Sequence, residues 1–499
     1  MVEITEGNFR IYFTAESIYL QNINFNKILT VEKFTCSISE NNIDILKKIN
    51  VYAVMKPHCI LGIMRIESYN YFVLVKSAIL IGKIENAEVF KIKEAELIPI
   101  TDDTTATNIS QEIKSYVLGI MHLLSLGFYY SFNYDLTNPQ NTQKKQSEEN
   151  SILLKYKNFN NITNNNSSFN NSNELSGGGN IKAQNSKLYA DSAFNNNNNK
   201  NNSEEFFCIS NKKFFWNYHL YSKFIKNDKL IVDPRWITLC INGYVGIEEN
   251  IDISPPSGNN NHNNYNNNNI AKEEKDDTNN STKAQNLINF YLISRRSVFH
   301  AGTRYLTRGI DDDGHVANFV ETEQLIKHGN HLMSFVQIRG SVPVFWQQTG
   351  MTAQTEITRI PELTTPAYLK HLEEIQKDYF PLIFMINLMN FHKPNEQIIT
   401  QNFENQIKIN NLRSCKYVFW DFQSECKNDN YERIDMLIKN VENVLNIFKF
   451  YCEDVNTGEI IKEQNGIMRT NCLDCLDRTN VIQTRFAWKM LEIMVFLIK

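Results

Sequence analysis

Gly466-Ile-Met-Arg-Thr-Asn-Cys-Leu-Asp-Cys-Leu-Asp-Arg-Thr-Asn480 is the stretch on which the reading of this chain turns. Five residues separate Cys472 from Arg478, Thr479 follows, and a helical pattern runs from Asn480 to about Lys499. A short loop between a strand and a helix can curl so that successive backbone N–H groups converge on one anion, and the helix N-terminus adds positive potential. Arg478 can then clamp two phosphoryl oxygens as a fork. The same field would lower the pKa of Cys472 and make it a thiolate nucleophile. Such a site would pass a phosphoryl group through a phosphocysteine that water hydrolyses, with no metal ion and no cofactor. Three other readings of the same cysteines stand beside this one: half of a zinc site on Cys472-x2-Cys475, a thioredoxin-type redox pair, and a buried structural cysteine. The zinc reading lacks a second CxxC or a His pair elsewhere in the chain.

Outward from the loop, residues 286–499 alternate short apolar runs with helical patterns. Phe380–Leu388 and Cys415–Phe422 read as buried strands, Thr364–Tyr379 and Arg433–Phe450 as helices, which predicts an α/β catalytic domain. Residues 1–137 are rich in strand signals. Ile60–Ile66 and Tyr71–Ile81 flank a polar turn at Glu67–Asn70, and Ile113, Val117, Ile120 and Leu124 have helical spacing. Between these blocks, residues 204–253 carry Phe206, Phe207, Phe214, Phe215 and Trp216, a cluster of the kind that fills a core. Residues 138–203 and 254–285 are dominated by Asn, Ser, Lys and Gln. They hold too few apolar groups to offset the entropy of ordering, so both are expected to be disordered insertions. The expected fold is therefore α+β overall: a β-rich N-terminal subdomain followed by an α/β cysteine-phosphatase-like domain, interrupted twice.

Lys and Arg number 51 and Asp and Glu 55 among the 499 residues, a net charge of −4. That balance argues against a nucleic-acid binder, so an anionic partner must meet a local basic patch. Nine irregularly spaced cysteines fit reduced thiols in the cytosol better than a disulfide framework. The first residues, MVEITEGNFR, carry acids and no apolar core, unlike a secretory signal, and no run of about 18 apolar residues predicts a transmembrane helix.

The block RTNCLDCLDRTN closely resembles the Sac-domain phosphoinositide phosphatases. So do Ser294–Gln324 (SRRSVFHAGTRYLTRGIDDDGHVANFVETEQ), Ser334–Trp346 (SFVQIRGSVPVFW), Lys56–Ile100, Phe128–Leu136 and Phe215–Asn217. The resemblance covers most of the chain outside the insertions. It implies removal of phosphate from the inositol ring of membrane phosphoinositides, most often phosphatidylinositol 4-phosphate, on the cytoplasmic face of the endoplasmic reticulum or Golgi. By position, Cys472 becomes the nucleophile and Arg478 the clamp. Leu473, Asp474, Cys475, Leu476, Asp477 and Thr479 form the phosphate loop. Asp474 is the favoured general acid, with Asp477 and Asp421 as alternatives. The family's DFH is Asp421-Phe-Gln423 here, which leaves the histidine's role unfilled. Arg295, Arg296, Arg304 and Arg308 fall within fourteen residues. With Arg339 they are candidates for contact with substrate or an anionic membrane, while Glu321 and Glu323 are candidates for orienting basic groups. The family's catalytic domain continues through further helices, so the resemblance implies a domain cut short after Lys499. A catalytically inactive lipid-binding scaffold and a protein phosphatase using the same thiol chemistry are the rival functions; protein partners are not indicated.

Overall fold

The computed structural model describes residues 2–101, 109–149, 210–226, 229–253, 287–303, 306–348 and 354–498. Most of the two Asn-rich stretches lies outside these residues, as do Phe206, Phe207 and Arg304. The apolar runs of the N-terminal block form antiparallel strands β1 (Cys59–Ile66), β2 (Tyr69–Ile84) and β3 (Ala87–Pro99). Phe72 to Val75 of β2 are wholly buried because a separate five-stranded sheet within residues 9–55 packs Ile11, Ile18, Leu20 and Leu29 into the same core. Helix α1 (Gln111–Leu124) is capped by the Ser110 side chain, which accepts a hydrogen bond from the Ile113 N–H. It buries Ile113 and Leu124 and half-buries Val117 and Ile120, the four positions that the helical spacing marked.

The sheet continues through β4 (Phe128–Ser131), β5 (Cys240–Asp252), β6 (Leu287–Arg296), β7 (Val320–His328) and β8 (His331–Arg339), each antiparallel to the one before. β5 pairs with both β4 and β6, so one sheet runs unbroken across the boundary between N-terminal and C-terminal parts. Two neighbouring residues fasten the same boundary: Phe215 is buried in the N-terminal core and Phe214 in the C-terminal one.

The first Asn-rich stretch does not begin at residue 138 as expected. Residues 140–149 form a helix, α2. Gln140 donates from its backbone N–H to Glu323 and from Nε2 to Glu453, each at 2.8 Å, and Gln143 Nε2 donates to the carbonyls of Asp135 and Asn138. Polar contacts order this segment: buried carboxylates need donors, and glutamines supply them where no apolar side chain could.

Strand direction changes in the C-terminal block. β9 (Leu382–Asn387), β10 (Cys415–Phe419) and β12 (Gly466–Asn471) are parallel to one another and to β8 in the order β8-β12-β9-β10, while β11 (Tyr451–Asp454) runs antiparallel to β8. Parallel strands are covered on both faces, and here the alternation of side chains divides two cores. Ile383, Met385 and Ile467 meet Tyr368 and Leu372 of α3 (Pro361–Asp378) and Ile399 and Phe403 of α4 (Pro394–Asn410). Phe384, Ile386 and Met468 meet Leu437 and Val441 of α5 (Glu432–Phe448) and Ile482 and Phe486 of α6 (Asp477–Ile498). Ile482, Phe486, Met490 and Met494 form one fully buried stripe of α6. Each contributes roughly 1.5–3 kcal/mol of burial, which is what clamps the helix after the loop against the sheet. The mixed α/β class is as expected, but α4 was not anticipated. Among the described residues no helix is long and apolar enough to cross a membrane.

Candidate active site

Ligands of open α/β sheets sit beyond the carboxyl ends of the parallel strands. Here β12 ends at Asn471 and α6 begins at Asp477, so residues 472–476 form the loop at that edge. Cys472 is buried, and its Sγ accepts a hydrogen bond from the Cys475 N–H at 3.0 Å. Cys475 adopts φ +54°, a left-handed conformation uncommon for a residue with a side chain, and its Sγ–H donates to the Cys472 carbonyl at 3.2 Å. The hydrogen bond from Cys475, the Arg478 charge and the loop N–H groups outweigh burial and hold the Cys472 thiol below its usual value, at about 7. The Cys475 thiol is pushed up instead, chiefly by burial. The sharper reading of the two cysteines therefore assigns the thiolate to Cys472. Its alkylation by iodoacetamide, followed by peptide mass spectrometry, is expected to rise with pH to half-maximal rate near 7. Cys452, raised to about 11 by burial, should stay unreacted there. A Cys472 profile centred near 9 would reject this account.

The remaining loop residues divide by what they touch. The Leu473 carbonyl accepts from Arg308 Nη1 at 3.1 Å, and Asp474 Oδ1 pairs with the same nitrogen at 2.7 Å. The Leu476 carbonyl accepts from the Thr479 hydroxyl, and Thr479 is wholly buried. Asp477 lies exposed in the first turn of α6, favourably placed against the helix dipole. Arg478 Nη1 donates to the Leu388 carbonyl (2.9 Å) and to Glu396 Oε2 (2.7 Å), and Nη2 to Glu396 Oε1 (3.1 Å). Burial works against its charge, but the bonded Glu396 carboxylate and the neighbouring Cys472 raise its pKa.

The described arginines of the expected cluster do not form one patch. Arg295 is fully buried between β6 and β7: Nη1 pairs with Glu321 and Nη2 with Glu323, at 2.6 and 2.7 Å, and Nε and Nη2 also reach the carbonyls of Leu136 and Asn138. It cannot meet a lipid, because it is spent holding the sheet and the root of α2. Glu321 and Glu323 orient it, as their sequence position suggested. Arg296, next along the strand, is half-buried and donates to the Gly302 carbonyl. Arg308 is buried, and besides the loop it holds Gln348 Oε1 at 3.0 Å. Arg339 ends β8 beside β12. It is nine-tenths buried, its Nε and Nη1 have no hydrogen-bond partner among the described residues, and burial lowers its pKa against the opposing pull of the nearby cysteines.

Several residues at this edge escaped the sequence reading. Arg469, fully buried beneath the loop, donates to His371 Nε2 (3.1 Å), Asn471 Oδ1 (3.3 Å) and the Ser341 carbonyl (2.8 Å), and no carboxylate pairs with it among the described residues. Burial lowers its pKa to about 10. His371 is kept neutral by burial and by that guanidinium; its Nδ1 bonds the Gly314 carbonyl, which leaves Nε2 to accept. Glu396 lies in the first turn of α4, behind Pro394 at the helix start, a boundary signal present in the sequence but unread. Asp421, an alternative acid, is instead a loop anchor: both its oxygens accept backbone N–H groups, from Phe391 and Ser424. Gln423 Oε1 accepts from Asn390 Nδ2, tying the position of the absent histidine to the same loop.

Comparison with known proteins places the chain among phosphoinositide phosphatases of related sequence. The chain is 24% identical to the phosphatidylinositol-3-phosphatase SAC1-B of Danio rerio, over 98% of its own length and 69% of that protein. It is 38% identical to the phosphatidylinositol-3-phosphatase SAC1 of Saccharomyces cerevisiae, over 40% of this chain and 34% of the relative. It is 35% identical to the phosphatidylinositide phosphatase SAC2 of Danio rerio, over 56% of this chain and 24% of the relative. In the last two cases it spans well under half of the relative. The model of the SacI homology domain matches residues 58–427, well over half of the sequence, and the chain belongs to that family.

Proposed function

We propose that this protein hydrolyses the phosphate monoester on the inositol ring of a membrane phosphoinositide, with phosphatidylinositol 4-phosphate as first substrate, at the cytoplasmic face of the endoplasmic reticulum or Golgi. The observation that carries the reading is the charge around the loop. Four guanidinium groups (Arg308, Arg339, Arg469 and Arg478) line the loop; the Glu396 carboxylate on Arg478 and the Cys472 thiolate offset two of their charges, and Asp474, beside Arg308, is reserved as the proton donor. Two formal positive charges are left, which a phosphoryl dianion complements. In the proposed reaction the Cys472 thiolate forms a bond to phosphorus while the bond from phosphorus to the inositol oxygen breaks. Asp474 gives its proton to that oxygen. Water, giving a proton back to Asp474, then attacks the phosphocysteine, releasing inorganic phosphate and restoring the thiolate. Arg339 adds a second guanidinium to the phosphoryl oxygens, and Arg296 and Arg304 are the remaining candidates for the anionic bilayer.

The test is phosphate release from short-chain phosphatidylinositol 3-, 4- and 5-monophosphates. Turnover of any of them is expected, and Asp474→Asn should lower kcat by about 10²–10⁴-fold. Faster turnover of phosphotyrosine peptides than of every lipid would replace the lipid reading with a protein phosphatase. Lipid binding without turnover would replace it with a scaffold.

A further inference from the structure

We infer that Glu396 is a positioning residue that grips Arg478 by one edge so that the other edge faces the bound phosphoryl group. The inference rests on the phosphate-site reading but not on which molecule carries the phosphate. A guanidinium has five N–H donors in a rigid plane. In Arg478, Nη1 spends both of its hydrogens, on the Leu388 carbonyl and on Glu396 Oε2, and Nη2 spends one on Glu396 Oε1. Among the described residues two donors remain without a partner, Nε–H and the second Nη2–H. They lie side by side on the edge that matches two oxygens of a phosphoryl group.

Glu396 is itself held for this purpose. Its side chain is 3% exposed, and Oε2 also accepts the Asn390 N–H at 2.8 Å. Leu388, which follows β9 and whose carbonyl takes the other Nη1 hydrogen, is anchored in turn by its own N–H, which donates to the Asn471 carbonyl at 2.9 Å. The grip on Arg478 is therefore fixed by the ends of β9 and β12 together with the first turn of α4. A carboxylate this deeply buried is costly unless its partner needs it there. Leaving it unpaired, or leaving the arginine free to swing, would cost more than the pair does.

The test uses orthovanadate and inorganic phosphate as probes, with binding read as protection of Cys472 from iodoacetamide in the full chain. Glu396→Gln is expected to weaken orthovanadate binding about tenfold or more, the worth of one charge-assisted hydrogen bond, with Glu396→Asp in between. Where lipid is turned over, kcat should fall more than KM rises, since an untethered fork costs most in the transition state. In an Arg478→Lys background, Glu396→Gln should change binding by less than about twofold, because the effect travels through the arginine fork. Equal losses in both backgrounds would mean a merely structural glutamate and overturn the inference. So would unchanged or tighter binding in folded Glu396→Gln, the result expected if the pair were a latch that phosphate must open. If Glu396→Gln does not fold, Glu396→Asp carries the same two-background comparison. Binding of orthovanadate needs no lipid turnover, so an inactive wild type would count against the hydrolysis reading alone.

Discussion

Cys472→Ser is expected to lower phosphate release by roughly 10⁴-fold or more while leaving orthovanadate binding and the thermal midpoint near those of the wild type. The size follows from what is removed. A serine hydroxyl in place of the thiol offers almost no anion at neutral pH, whereas the Cys472 thiol sits at about 7 and is about half ionised there. The expected retention of binding follows from what stays, since the loop N–H groups and Arg478 do not depend on sulfur. Stability should be little affected, because the swap removes little volume and the hydroxyl oxygen can still accept from the Cys475 N–H that now bonds Sγ. The measurement is phosphate release on the most active monophosphate, with orthovanadate titration and thermal melting in parallel. Residual turnover above about one percent of wild type, at matched folding, would place the nucleophile elsewhere.

Arg295→Met is expected to destabilise the protein by about 3–5 kcal/mol, enough to unfold many domains of this size. Arg295, Glu321 and Glu323 are all fully buried, and removing the arginine leaves two carboxylates without their cation. The loss should depend on pH. Burial already raises the Glu321 pKa in the wild type, and without the arginine it must rise further. A group whose folded pKa lies above its unfolded value stabilises the fold below the unfolded pKa, and that contribution is lost as pH rises. The penalty of Arg295→Met should therefore grow from acidic pH towards neutrality. Adding Glu321→Gln and Glu323→Gln removes the buried charges and should recover part of the loss. Denaturant unfolding of the three proteins at pH 5 and pH 7.5 reads both effects. Equal stability of Arg295→Met and the wild type at pH 7.5 would show that the three charges are not a unit.

The chemistry-bearing loop was legible because its information is local. Five residues between Cys472 and Arg478, an apolar stretch before and a helical pattern after, suffice to imply a strand, an anion-binding turn and a helix N-terminus. β1, β2 and β9 were legible for a related reason, since apolar runs have few other places to go; β10 is the expected strand but lies half-buried at the sheet edge rather than buried. α4 was not legible, because PNEQIITQNFENQIKIN fills its buried face partly with polar residues, Glu396, Thr400 and Gln406 beside Ile399 and Phe403, and leaves Ile398 and Ile409 exposed, so it shows no clear apolar stripe. Residues 140–149 were misjudged on the same composition, which measures apolar burial and is blind to buried carboxylates waiting for donors. Arg295 lay in between. Tyr291, Ile293 and Arg295 share one phase of β6, and Arg295 faces Glu321 directly across the ladder, so the strand period alone would have turned it inward.

By itself, then, the sequence pointed to the candidate nucleophile and clamp, the α/β layer and the family resemblance, all features that spacing within a few residues can encode. Only the tertiary structure decided which groups surround the loop. Glu396 meets Arg478 across 82 residues and Arg308 meets Leu473 across 165. Neither pairing follows from local spacing, because strand order brings these residues to one edge of the sheet. Burial then makes each unpaired charge too costly to leave to chance.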